Sequence, residues 1–348
     1  MQNGRLRVGI VGAGENTRLR HIPGLRAQPD VEILGVANRT AESGRRAAAE
    51  LGIARNFANW QELIAAPEID AVVIGTWPNL HCNVTCAALA ARKHVLVEAR
   101  MARTLGEARQ MLAASRAQPD LIAQIVPSPL GLQCGATVAR VLNEGTIGDL
   151  RELVVLGITD AMWDDSRPVH WRQDSALSGR NVLTLGILHE TVLRWLPQPQ
   201  SVVVQSATFS RRAPVADAPA QRIDIPDVLH VLSQLPGGAQ GVYHLSGVAL
   251  FGPPLQVHLY GSRGTLKIEF GATERVWLGR TGDAAIQELT IPAAERGDWR
   301  VEEEFVRAIR GQEQVRLTDF GTGVRYMAFT EAVMRSAETG ERAAVTVA

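Results

Sequence analysis

The stretch RVGIVGAGENT, Arg7 to Thr17, decides how this chain is read. An apolar run from Leu6 to Val11 meets Gly12 and Gly14, and Arg18 to Ala27 then has the composition of a helix. Strand, glycine-rich turn and helix in that order form the unit that binds a dinucleotide pyrophosphate. Glycine permits the tight turn and lets a phosphate approach the backbone, and the helix N-terminus offers free N–H groups and a positive dipole end. Gly12, Gly14, Asn16 and Thr17 are therefore candidate cofactor contacts. In G-x-G-x-x-G the third glycine lets helix and strand pack closely, and here its place holds Thr17. Glu15 brings a negative charge near the expected phosphates and fits only if it points outward.

Beyond this unit the chain has 348 residues, enough for two domains, and 46% of them are apolar. Formal net charge is zero, with no basic or acidic block, which argues against nucleic acid or an anionic membrane surface as partner. No apolar run is long enough to span a bilayer. A strand beginning almost at once leaves no room for a signal peptide. Cys82, Cys86 and Cys134 do not make a disulfide framework, so a reducing, cytoplasmic setting is expected. His81, Cys82 and Cys86 lie close in sequence, but no second cluster completes a metal-ligand set, so no metal is assigned.

Along the chain, apolar runs at Val31–Ala37, Ala71–Ile74, Val95–Val97 and Leu121–Val126 alternate with helical segments of about ten residues, the pattern of a doubly wound parallel sheet. Pro127 and Pro129 mark a change of rhythm. Residues 160–174 are irregular and rich in Trp, Asp, Arg and His. Ser178 to Leu196 reads as one helix stopped by Pro197. From Ser201 to about Ile291 short strands follow one another, and helices at Arg300–Arg310 and Thr322–Glu338 close the chain. The expected fold is α/β: an N-terminal Rossmann domain over residues 1–126, and a C-terminal α+β domain over 127–348 with a large, mostly antiparallel open sheet. A sheet face not covered by helices is a natural surface for a homodimer or homotetramer.

Six segments stand in a telling order: GAGENT, TWPNLH (Thr76–His81), VLVEARMA (Val95–Ala102), WRQD (Trp171–Asp174), LYGSRGTL (Leu259–Leu266) and EFVRAIRG (Glu304–Gly311). Together they resemble the glucose–fructose oxidoreductase / inositol dehydrogenase / rhizopine-catabolism (Gfo/Idh/MocA) family over nearly the whole chain. The resemblance implies an NAD(P)-dependent oxidoreductase acting on a sugar, polyol or related carbonyl compound. It also implies cofactor contacts at Gly12, Gly14, Thr76, Pro78, His81 and Glu98, and oligomerisation through the C-terminal sheet.

The departures from that family are specific. Its usual Glu-Lys-Pro is here Glu98-Ala99-Arg100, so the catalytic lysine is missing. The positions where the family carries Asp, His and Asp on one helix face hold Thr184, Leu188 and Thr191, none of which titrates near neutrality. Where many relatives carry an Asn-Arg pair stand Pro127, Ser128 and Pro129. Without proline the Ala99–Arg100 bond is expected to be trans, since cis costs about 2.5–4 kcal/mol for other residues.

A base must therefore come from elsewhere. His189, one step round the helix from Leu188, and His170, in the irregular stretch, are the candidates. Glu190 is expected to be exposed. Arg172 is a candidate for orienting the substrate and Arg100 for stabilising an oxyanion. At the end of the second strand Asn38 replaces the acid that binds the ribose 2′-OH of NAD, and Arg39 suits the 2′-phosphate of NADP, which is expected over NAD. Two other readings stay open: a dinucleotide-binding protein without dehydrogenase activity, and redox-neutral sugar chemistry on a tightly bound cofactor.

Overall fold

The computed structural model describes residues 4–210 and 223–347. Among them the chain forms two compact units: Met1–Pro127 with Arg300–Val324, and Ser128–Trp299 with Arg325–Ala348. The division thus differs from a single cut near residue 126, because residues 300–324 pack with the first unit. Their helix, Val301–Ile309, buries Val301, Phe305 and Val306.

The first unit is built on a six-stranded parallel sheet of β1 (Leu6–Val11), β2 (Val31–Ala37), β3 (Arg55–Asn56), β4 (Ala71–Ile74), β5 (His94–Val97) and β6 (Ala123–Ile125). The order is β3-β2-β1-β4-β5-β6, the doubly wound arrangement whose switch point lies between β1 and β4. β1 and β4 are buried on both faces, as strands between two helical layers must be. The first helix departs from regular geometry. Thr17–His21 is a π-helical turn that runs into an α-helix at Ile22–Arg26.

The second unit carries a nine-stranded sheet. Its strands are β7 (Leu150–Ile158), β8 (Ser201–Ala207), β9 (Val228–Gln234), β10 (Gln240–Ser246), β11 (Leu255–Gly261), β12 (Gly264–Phe270), β13 (Arg275–Arg280), β14 (Gln287–Leu289) and β15 (Ala343–Ala344), in the order β14-β13-β12-β11-β7-β10-β9-β8-β15. All its pairings are antiparallel except β10 with β7. The single helix expected over 178–196 is instead two short ones, Ser175–Ser178 and Leu185–Val192. Gly179 (φ 68°) and Leu183 (φ 46°) sit in the left-handed region between them, which no continuous α-helix admits.

Alternation along the strands gives the sheet two unlike faces. Leu229 and Val231 of β9 are buried while His230 and Leu232 are exposed. Leu232, Val242, Val154 and His258 lie opposite one another across four strands and form a row on the other face.

Candidate functional site

The cradle at the end of β1 is built from glycines and two amide locks. Gly12 has φ 88°, and a Cβ there would lie 2.8 Å from Thr76 Cγ2 and 2.9 Å from the Gly75 carbonyl. Thr17, in the third glycine's place, donates its hydroxyl to Gly12 O at 3.2 Å. A Cβ at Gly75 would lie 2.0 Å from Thr17 Oγ1. The glycine that lets helix and strand close together is therefore on the strand side, at the end of β4. Asn38 Oδ1 accepts from Ala13 N at 2.8 Å and its Nδ2 donates to Ser43 O at 3.1 Å, so this side chain holds the turn. Arg18 Nε donates to Ala13 O at 2.9 Å. Glu15 and Arg39 are exposed, and the helix beginning at Glu15 presents its first N–H groups beyond the turn. A bare glycine turn under a helix N-terminus, with the Glu15 carboxylate exposed to solvent, fits a dinucleotide pyrophosphate.

The second half of the sheet contributes Thr76, His81 and Glu98. Pro78 starts the helix Pro78–Ala90 and is buried. His81 is fully buried, with Nε2 3.0 Å from Thr76 O and Nδ1 3.0 Å from Arg100 O and 3.3 Å from Met101 O. Burial outweighs these carbonyls and pushes its pKa below the ordinary histidine value, so the ring is neutral. The Ala99–Arg100 peptide is cis, which overturns the expected trans bond. Residue type was the wrong guide, because the carbonyls that follow are tied to His81. Arg100 itself is buried, at 5% exposure.

At the end of β5, Glu98 is held by three partners. Oε1 accepts from Asn16 Nδ2 and lies 2.9 Å from His21 Nε2, and Oε2 accepts from Ala99 N at 3.2 Å. His21 is fully buried, and its Nδ1 is 2.5 Å from Glu302 Oε1. Burial opposes a charge on His21, but the hydrogen bonds to Glu302 and Glu98 outweigh it and raise its pKa to about 9. Burial likewise pushes Glu98 up, and the His21 hydrogen bond and charge bring it below the usual carboxylate range. At neutral pH the imidazolium donates to both carboxylates. Neither His21 nor Glu302 is singled out by the sequence reading. The signal available was a histidine four residues after Thr17, on a helix opening from a glycine turn.

In the second unit the two candidate histidines have different surroundings. His189 is fully buried, stacked on Phe329 with ring centroids 3.7 Å apart, and its Nδ1 is 2.8 Å from the Tyr243 hydroxyl. Burial lowers its pKa to about 3. It is a neutral core residue. Glu190, expected to be exposed, is 2% exposed. It accepts from Ser128 N at 2.6 Å and pairs with Arg194 at 2.9 Å, one helical turn on, which holds a carboxylate inside. Leu188 and Thr191 are fully buried as well. His170 is exposed. Its Nδ1 accepts from Arg172 N at 3.2 Å, which leaves the proton on Nε2, and the Arg172 guanidinium lies 4.2 Å over the Trp171 ring.

A doubly wound dinucleotide-binding unit with a second unit on a large mixed sheet defines a class of nicotinamide-dependent oxidoreductases. Residues 6–124 match the oxidoreductase family with an NAD-binding Rossmann fold, and residues 136–267 match the GFO/IDH/MocA C-terminal domain. The chain belongs to the GFO/IDH/MocA oxidoreductase family. It is 27% identical over 301 residues to dTDP-3,4-didehydro-2,6-dideoxy-alpha-D-glucose 3-reductase of Saccharopolyspora spinosa, spanning 84% of each chain. It is 27% identical over 246 residues to trans-1,2-dihydrobenzene-1,2-diol dehydrogenase of Sus scrofa, spanning 69% of this chain and 68% of the other. In fold it is similar to levoglucosan dehydrogenase solved in complex with NADH and levoglucosan, with TM-score 0.87, 19% identity, and coverage of 99% and 100% of the two chains. Among the described residues, no helix is long and apolar enough to cross a membrane.

Proposed function

We propose that this protein moves hydride between a nicotinamide dinucleotide and a hydroxyl- or carbonyl-bearing carbon of a sugar, polyol or related compound. The cradle at Gly12 and Gly14 carries this reading, and the names of the relatives, a sugar reductase and a diol dehydrogenase, support its substrate class. Gly12, Gly14, Asn16 and Thr17 would hold the pyrophosphate, with Thr76 and Glu98 framing the second nucleotide and the buried Pro78 and His81 holding the loops that carry them. When bound, the cofactor supplies the hydride chemistry. We assign the cofactor as NADP ahead of NAD: Asn38 spends its amide on the turn, no acid ends β2, and Arg39 is exposed there.

The remaining work falls to this chain's own side chains, in a site that lacks the family lysine. We assign proton transfer in the carbonyl-reducing direction to His170, whose Nε2–H is the donor, and substrate orientation to Arg172, stiffened by Trp171. Arg100, permanently charged, is assigned to the developing oxyanion. His189 is left out, because its ring is neutral and shielded. We also assign the open face of the nine-stranded sheet, with Leu232, Val242 and Tyr260 exposed, to a homodimer or homotetramer, and the free cysteines to a reducing, cytoplasmic setting.

The test is turnover of free NADP⁺ and NAD⁺ with a panel of sugars, anhydrosugars and polyols. His170→Asn is expected to lower kcat/KM in the reducing direction by about 10²–10⁴, the worth of a general acid, and full activity at every pH would remove His170 from the mechanism. Arg39→Asp is expected to reverse the preference for NADPH over NADH in fluorescence titrations. Equal wild-type affinities, unchanged by the substitution, would refute the NADP assignment. Cofactor binding with no turnover across the panel would favour a non-catalytic binding protein. Substrate consumed without net cofactor change would favour redox-neutral chemistry.

A further inference from the structure

We propose that Glu302 and His21 are a positioning pair for Glu98, so that the helix Val301–Ile309, from the far end of the chain, finishes the nicotinamide half of the cofactor site. This rests on the nicotinamide reading above. Glu98 follows β5, in the second mononucleotide half of the sheet, and the glycine turn with its phosphate-binding geometry follows β1 in the first. A dinucleotide laid across the switch point brings its second nucleotide to the β4–β6 side.

Segments distant in sequence meet here: the helix that opens at Glu15 brings Asn16 and His21 to Glu98, and the helix Val301–Ile309 brings Glu302 to His21. Asn16 stands just before the π-helical turn and His21 ends it, and Glu302 lies 281 residues after His21. Single π turns in helices are frequent at functional sites, because the extra residue re-aims a side chain. The neighbouring helix is opened to admit Glu302: a Cβ at Gly24 would lie 2.5 Å from Glu302 Oε2. The groups facing His21 include Glu98 after β5, Glu302 from its helix and Asn16 from its own. With Oε1 taken by His21 and Asn16 and Oε2 by Ala99 N, the Glu98 carboxylate is fixed in orientation and in charge. Fixing a charge where a cofactor binds is preorganisation, and it lowers the ordering cost of binding.

The experiment uses the full chain and Glu302→Gln, which keeps the shape and removes the charge. The His21 imidazole resonance, assigned with His21→Gln, is followed by NMR from pH 6 to 10, and NADPH and NADH affinity is titrated over the same range. In the wild type the resonance is expected to titrate near 9, with affinity falling through the same midpoint. In Glu302→Gln both midpoints are expected at lower pH, with affinity at neutral pH about tenfold weaker. An unmoved His21 titration overturns the pair. A moved titration with wild-type affinity at every pH makes the pair structural only and overturns the positioning role. If Glu302→Gln does not fold, wild-type affinity that stays flat through the His21 midpoint overturns the proposal on its own. A wild type that binds neither nucleotide overturns the nicotinamide reading itself, whereas binding that ignores Glu302 overturns only this inference.

Discussion

His21 and His189 are both fully buried, yet they reach opposite states. His21 lies between the carboxylates of Glu98 and Glu302 and is driven to about 9. His189 lies between the Tyr243 hydroxyl and the Phe329 ring and is driven to about 3. Loss of water penalises the charged ring in both places. Only at His21 do two charge-assisted hydrogen bonds outweigh that penalty. Partners decide the charge of a buried histidine, and burial alone does not. The Rossmann unit thus keeps a cation inside it, and the second unit keeps an aromatic spacer that happens to carry nitrogens.

The largest way to break the comparison is His21→Leu. It leaves two buried carboxylates without the cation between them, and removing one partner of a buried ionic set costs about 3–5 kcal/mol. Denaturant unfolding at pH 6 is expected to show that loss. His21 has a folded pKa above its unfolded value. Its stabilisation is therefore complete below about 6.5 and fades as pH rises through about 9. The gap between wild type and His21→Leu should close over that window. A gap that stays constant from pH 6 to 10 would mean that packing, and not charge, holds the site.

The alternation of strands and helices made both sheets legible, because the apolar runs have the right length and the glycine turn fixes where the first helix starts. Interactions that skip along the chain were not legible. Thr17 looks like a flaw in the glycine fingerprint until Gly75, on the next strand of the sheet, turns out to supply the missing space. Glu302 cannot be matched to His21 by spacing, since 281 residues separate them. The return of residues 300–324 to the first unit was hidden for the same reason. Glu190 offered a usable signal in Arg194 at i+4, the separation that pairs side chains on a helix. The break at 179–184 was obscured because Leu183, a residue of good helix propensity, takes a positive φ there. At Ala99–Arg100 the amino-acid preference pointed the wrong way. The local contacts of His81 involve carbonyls that no sequence pattern encodes.

The smaller test concerns His189 and Tyr243. Replacing His189 with Leu removes the partner of a buried hydroxyl, at a cost of about 1–3 kcal/mol. Tyr243→Phe alone removes the hydroxyl and leaves the ring nitrogen. The double variant His189→Leu with Tyr243→Phe has neither group left to satisfy, so its loss should be less than the sum of the single losses. The pH dependence runs opposite to that of His21. His189 has a folded pKa below its unfolded value, so its neutral form favours folding above about 6.5, and that contribution falls away as pH drops toward about 3. Wild-type stability should therefore decline on acidification partly through this residue, and His189→Leu should show a shallower decline between pH 6.5 and 4. Because the ring is neutral and shielded, His189→Asn is expected to leave the pH profile of kcat/KM unchanged even where it lowers stability. An acid slope identical in wild type and His189→Leu, together with additive single losses, would show that the Tyr243 contact contributes nothing. The contrast with His21 would then rest on the carboxylates alone.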